Sequence, residues 1–196
     1  NLLGGEQSGF INELGFDTYN KILDEALGEV EENEKGFERN NIKKIKPNMN
    51  CLVDPHEKTI IPKDYIQNSD ERLKTYGLIE EKSKDGLFKE IEENLKDRFG
   101  PIPNEVNNLL KCMRVKWLGA KCGIDKITIK EDVLRFVFFK SKSEDVKTRT
   151  FKNIVDVFEN MKNKYSVVDR NNQIIIKLFG DLNLEKTLKI LKKTSN

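Results

Sequence analysis

Apolar positions recur along the chain at two spacings, and the change from one to the other divides it. From Phe16 to Val30, Phe16, Tyr19, Ile22, Leu23, Ala26, Leu27 and Val30 fall three or four residues apart, which predicts an amphipathic helix capped by Asp17. The stretch Glu29 to Gly36 is acidic and has no apolar period, so the region to about Lys46 reads as a linker. Met49 to Val53 fits one short strand. Ile60-Ile61-Pro62 fits an extended piece, because the residue before a proline is pushed out of the helical region. Three helices are expected next. The first is capped at Asn68-Ser69-Asp70-Glu71 and carries Leu73, Tyr76, Leu78 and Ile79. The second carries Leu87, Phe88, Ile91, Leu95 and Phe99 and is stopped by Gly100-Pro101. The third starts near Pro103, carries Val106, Leu109, Leu110, Met113, Val115, Trp117 and Leu118, and ends at Gly123.

From Ile124 the runs become β-rich. Ile124, Ile127 and Ile129, then Val133 to Phe139, flank Lys130-Glu131-Asp132 and predict a hairpin. A helix from about Thr150 to Lys162 presents Phe151, Ile154, Val155, Phe158 and Met161 on one face. Tyr165 to Val168 and Ile174 to Leu178 flank the turn residues Asp169-Arg170-Asn171-Asn172, a second hairpin. A last helix is expected over Leu184 to Leu191. The fold class is α+β: an N-terminal helical half followed by a ββαββα half with a small antiparallel sheet.

Charge sharpens this division. The net charge is only +2, too small for the field of a strongly basic nucleic-acid binder. Residues 1–100, however, hold 15 Lys+Arg against 22 Asp+Glu, and residues 101–196 hold 20 against 11. The halves should attract each other or different partners. Cys51, Cys112 and Cys122 share no paired spacing and read as free thiols, Cys112 as a core residue. No apolar run approaches the roughly 20 residues of a membrane span, and no signal peptide is evident, so a cytoplasmic protein is expected.

Candidate chemistry is sparse. His56 is the single histidine and follows Asp54-Pro55, a turn context more than a ligand. Gly4-Gly5 matches neither glycine spacing used to cradle phosphates. Glu90, Glu92 and Glu93 cluster as the solvated face of a charged helix. Lys189, Lys192 and Lys193 could meet phosphate, which keeps a basic nucleic-acid-binding module as an alternative. Phe136, Phe138 and Phe139 are read mainly as sheet core rather than as a stacking platform.

A set of motifs then appears in a telling order. Asn1-Leu2-Leu3-Gly4-Gly5-Glu6-Gln7-Ser8-Gly9 is followed by Gly15-Phe16-Asp17-Thr18-Tyr19, Leu23-Asp24-Glu25-Ala26 and Ile61-Pro62-Lys63-Asp64-Tyr65-Ile66. Glu71-Arg72-Leu73-Lys74-Thr75-Tyr76, Asp97-Arg98-Phe99-Gly100-Pro101-Ile102-Pro103 and Lys121-Cys122-Gly123-Ile124 come after. This series resembles the C-terminal region of bacterial transcription-repair coupling factors, densely to about Lys130 and by element order beyond.

The resemblance implies a parent that is an ATP-driven double-stranded DNA translocase, using ATP and Mg in its motor. It displaces stalled RNA polymerase and recruits the excision-repair protein UvrA. Residues 1–15 would be the tail of a translocation motif shared with the RecG helicase, with Gln7 in the coupling loop. Residues 16–46 would be a helix and acidic linker, and residues 47–196 the regulatory domain. That domain would act as a clamp on the parent's own UvrB-like module, competing with UvrA. No catalytic residue, cofactor, metal or membrane contact is implied for this fragment. The contacts implied for the clamp fall on the helix end Asn94-Leu95-Lys96-Asp97-Arg98-Phe99-Gly100. Asp97 and Arg98 match the family's pattern, and Asn94 stands where an acidic residue is expected. Asp97 and Arg98 could also serve only the helix end, Arg98 through the dipole, with Phe99 in the core and Gly100 as a cap.

Overall fold

The computed structural model describes residues 51–139, 144–170 and 172–195. The loop bearing Gln7, the expected helix over Phe16 to Val30 and the stretch to Lys46 lie outside the described residues. The elements run β1 (Leu52–Asp54), α1 (Ser69–Lys84), α2 (Phe88–Phe99), α3 (Asn104–Lys121), β2 (Lys126–Ile129), β3 (Val133–Phe139), α4 (Glu144–Asn160), β4 (Tyr165–Arg170), β5 (Gln173–Phe179) and α5 (Leu184–Thr194). The architecture is α+β.

Local chemistry sets most of these boundaries. The Asn68 side chain accepts the Glu71 backbone N–H at 3.0 Å and opens α1. Gly100, at φ +83°, donates its N–H to the Lys96 carbonyl and closes α2, and Pro101 prevents any continuation. Pro103 stands at the N-cap of α3, which runs to Lys121 before Gly123 turns the chain at φ +68°. β4 and β5 pair from Tyr165↔Leu178 to Arg170↔Gln173, leaving a two-residue hairpin loop in which Asn172 has φ +61°.

The sheet is larger than the expected antiparallel one. Its order is β1-β2-β3-β5-β4, and β1 pairs in parallel with β2 through Leu52↔Lys126, Val53↔Ile127 and Asp54↔Thr128. The sheet is therefore mixed, and a strand from the helical half is its edge. Two helices also run further than their apolar periods suggest, α4 beginning at Glu144 and α5 reaching Thr194.

The core lies between one face of this sheet and helices α3, α4 and α5. Ile127, Ile129, Leu134, Phe136, Phe138, Ile176 and Leu178 meet Val115, Leu118, Ile154, Phe158, Leu188 and Leu191, and the Phe136 and Phe158 rings stack at 6.1 Å. Phe136 and Phe138 are thus core side chains, as their pattern suggests. Cys51, Cys112 and Cys122 are buried thiols outside any disulfide, and burial pushes the Cys122 thiol up. Close packing at the β1 edge requires Gly119 on α3, since a Cβ there would sit 2.7 Å from Cys51 Sγ and 2.8 Å from Ile127 Cδ1.

Residues 55–67 form an irregular strap instead of a further strand. Its buried Ile60, Ile61 and Ile66 anchor it, and side chains satisfy its backbone, as buried peptide groups demand. Ile61 donates its N–H to Tyr76 Oη at 2.7 Å, and Arg72 Nη1 donates to the Ile66 and Gln67 carbonyls at 2.8 and 2.9 Å. The Glu57 carboxylate accepts the Leu184 N–H at 2.6 Å, tying the strap to the first turn of α5, whose N-cap is Asn183. A carboxylate at a helix N-terminus satisfies an orphan donor and complements the dipole.

Candidate interaction surface at the end of α2

Helix α2 buries Phe88, Ile91 and Leu95 along one side. Asn94, Asp97 and Arg98, at positions i, i+3 and i+4, share another side of the same last turns. The structure therefore brings the three sequence-predicted residues together. Asn94 is half-buried and its Oδ1 is shut off from water with no hydrogen-bond partner. Asp97 is exposed.

Arg98 has a more definite place than the end-of-helix role its position suggests. Its guanidinium donates to the Glu71 carboxylate in the first turn of α1, and lies 4.8 Å from the Phe99 ring centroid. It remains 45% exposed, so one edge still faces solvent. Phe99 is half-buried, not fully in the core, and meets Tyr65 edge-on at 5.8 Å. The Tyr65 hydroxyl donates to the Leu95 and Gly100 carbonyls at 3.1 and 3.3 Å. The last turn of α2 is thus held from three sides, by α1, by the strap and by its glycine cap. That is the preorganisation a polar contact surface needs if its side chains are not to be ordered at binding.

Two other carboxylates of α2 are paired within the domain. Glu90 meets Lys82 at 2.7 Å, and Glu92 meets Arg114 at 2.6 Å. Arg114 also lies 5.0 Å from the Phe88 ring, whose edge meets Trp117 at 6.1 Å. Glu90 and Glu92 thus brace α1, α2 and α3 where the sequence suggests only a solvated face, while Glu93 is exposed. His56 sits exposed in a bend, and no group of three or more His, Cys, Asp or Glu that could hold a metal occurs among the described residues.

The C-terminal lysines lie on the solvent side of α5. Lys189 approaches Glu185 at 3.9 Å, and Lys111 from α3 approaches it at 3.1 Å. The Lys111 hydrogen bond and charge hold the Glu185 carboxyl below its usual range, with Lys189 and Lys192 adding to the effect. Lys192 and Lys193 are exposed in the last turn, where they complement the helix dipole. An acid among these cations weakens a phosphate-binding reading. No helix among the described residues is long and apolar enough to cross a membrane.

Comparison with known proteins bears on the whole chain. Residues 56–149 match the family model of the TRCF domain. Curated relatives include the transcription-repair-coupling factors of Rickettsia typhi, 28% identical over 94% of this chain, and of Bacillus subtilis, 28% identical over 74%. The relative from Borreliella burgdorferi is 26% identical over 97% of it. The chain spans 12 to 15% of the length of these relatives. Among solved structures, the C-terminal domain of a transcription-repair coupling factor superposes with a TM-score of 0.61 at 19% identity, covering 74% of this chain and 91% of that one. The match is one of fold.

Proposed function

Because the chain carries a TRCF domain and belongs with the C-terminal regions of transcription-repair-coupling factors, we propose that it is the regulatory end of an ATP-driven DNA translocase. The parent would displace stalled RNA polymerase from double-stranded DNA and recruit UvrA. ATP and Mg would be held by motor domains elsewhere in the parent. Gln7 is assigned to the motor's coupling loop on the resemblance of its motif alone.

Within that parent the domain acts as a clamp on the UvrB-like module and competes with UvrA for it. The observation that carries this reading is the polar side of α2, where Asn94, Asp97 and Arg98 converge on a turn braced by Glu71 and Tyr65. Charge-assisted hydrogen bonds contribute about 1.5–3 kcal/mol each, and water can replace them. A few of them make a contact that holds the docked state and releases it without unfolding either partner. Regulation is then a shift between docked and undocked populations, to which UvrA adds its own preference. Asn94 offers a neutral amide where the family places an acid, so Asp97 and Arg98 carry most of the contact.

The test is Asp97→Ala with Arg98→Ala in the full-length parent. UvrA affinity and basal ATPase activity should both rise, by about tenfold or more for one lost charge-assisted pair. Circular dichroism should show the domain still folded. Unchanged UvrA affinity in a calorimetric titration, with the domain intact, removes the interface from this surface.

A further inference from the structure

The face of the sheet turned away from the helices carries an arrangement that the domain's own packing does not explain. Strand register aligns Asp54 on β1, Thr128 on β2, Arg135 on β3, Lys177 on β5 and Ser166 on β4 in one row. Residues of like parity share a face, and the strand residues of the core cluster are all of the other parity. The row therefore lies on the face against which no described helix packs.

Arg135 and Lys177 stand directly opposite each other on neighbouring central strands, and both are half-buried. Like charges on residues directly opposed in this way, whose Cβ atoms stand about 5 Å apart, are destabilising. Neither makes an ion pair among the described residues, and Arg135 Nε is shut off from water without an acceptor. Elsewhere in the domain Lys82, Arg98, Arg114 and Lys186 each meet a carboxylate. The acid of the row, Asp54, stands at the edge strand and is paired with Lys130 at 3.3 Å. Two half-buried positive groups thus face outward with a hydroxyl on either side and no counter-charge paired to them among the described residues. The adjoining rows are mostly aliphatic, with Val137, Ile175 and Val168 on one side, joined by Lys126, and Val133 with the exposed Phe179 on the other.

We propose that this face docks an acidic segment of a partner protein, one carboxylate entering between Arg135 and Lys177 and its apolar neighbours covering the half-buried Ile175 and Val168. A carboxylate there accepts from both cations and turns a repulsive pair into a matched triad. The aliphatic rows exclude water around it, which strengthens the contact. A single-stranded nucleic acid is the weaker fit, since successive bases need aromatic faces to stack on and the register puts the aromatic positions of this face, Phe179 and Phe139, at opposite ends of the β3–β5 pair. This surface belongs to the sheet and the α2 surface to the helical layer, so failure of one reading leaves the other standing.

The experiment uses the full chain and three labelled probes: a short peptide of alternating glutamate and valine, its glutamine counterpart, and a short oligothymidylate. The acidic peptide should bind, about tenfold or more tightly than the glutamine peptide, and binding should fall as salt rises. Arg135→Gln with Lys177→Gln should abolish that advantage, while Lys192→Gln on α5 should not. Amide shifts on binding should centre on Thr128, Val137 and Ile175. Lys177→Glu gives an independent reading, because it supplies the missing acid internally: the melting temperature should rise while peptide binding is lost. No binding, equal binding of the two peptides, or a Lys177→Glu variant that melts lower overturns the proposal. Tighter binding of oligothymidylate at the same residues would make this a nucleic-acid surface, and self-association lost in the double variant would make it an interface between copies of the chain; either result overturns it.

Discussion

The same substitution, glycine to alanine in a helix interior, should have opposite signs at Gly77 and Gly119. In an unhindered helix the change stabilises by about 0.5–1 kcal/mol, because alanine loses less conformational freedom on folding. Gly77 in α1 meets that condition, since a Cβ there finds nothing within 4 Å. At Gly119 a Cβ would stand 2.7 Å from Cys51 Sγ and 2.8 Å from Ile127 Cδ1. Ordinary carbon contacts lie at about 3.5–4.0 Å, so α3 or the edge of the sheet must give by about 1 Å. Cys51 and Ile127 are both 0% exposed, so neither can yield toward solvent. Overpacking of this kind costs about 1–3 kcal/mol, which offsets the helical gain and leaves a net loss of up to about 2.5 kcal/mol. Urea denaturation followed by circular dichroism should separate the two variants by about 1–3 kcal/mol, or about 2–12 °C in melting temperature. Cys51→Ala added to Gly119→Ala should recover part of the loss, by removing the nearer obstacle. Equal stability of the two glycine variants would refute the close approach of α3 to β1 and β2.

Two further perturbations test the strap and its anchors. Glu57→Ala removes the carboxylate that receives the Leu184 N–H, and should cost about 1 kcal/mol in urea denaturation, at the lower end for a charged cap because Glu57 Oε2 is buried without a partner; no loss would mean that Asn183 alone caps α5. Burial raises the Tyr76 phenol above its ordinary value, against the opposing effects of the Ile61 hydrogen bond and Arg72. The folded state therefore keeps the proton that the unfolded chain gives up near pH 10, so the contribution of Tyr76 to stability is constant below that value and falls as pH rises through it toward the folded-state pKa. In Tyr76→Phe this alkaline loss should shrink, with a lower stability at neutral pH from the unmet Ile61 N–H; an unchanged alkaline limb would contradict the assignment.

Features set by local chemistry were legible in the sequence. The Asn68 cap, the Gly100-Pro101 stop and the hairpin turn expected within Asp169 to Asn172, where the strands in fact run on to Arg170 and start at Gln173, each depend on residues within a few positions of one another. What escaped depends on distance along the chain. β1 pairs with β2 across the whole helical block, and nothing local distinguishes a parallel partner from an antiparallel one. The first turn of α4, Glu144 to Lys147, has one apolar residue and gives no period. The strap buries three isoleucines without any periodicity, because side chains rather than a ladder satisfy its backbone. At the α2 surface the resemblance marked Asn94, Asp97 and Arg98, but not Glu71, which lies 27 residues from Arg98 in the chain and fixes its guanidinium. The opposition of Arg135 and Lys177 likewise becomes visible only once the β3–β5 register is known.

The end of α2 is the proposed surface by which this domain would hold a UvrB-like module. The most direct measurement is an amide-resolved NMR titration of the chain with that module added in trans. Shifts centred on Asn94, Asp97 and Arg98, lost with Asp97→Ala and Arg98→Ala and reversed by adding UvrA, are the predicted result. Saturable binding whose shifts leave α2 untouched would contradict it.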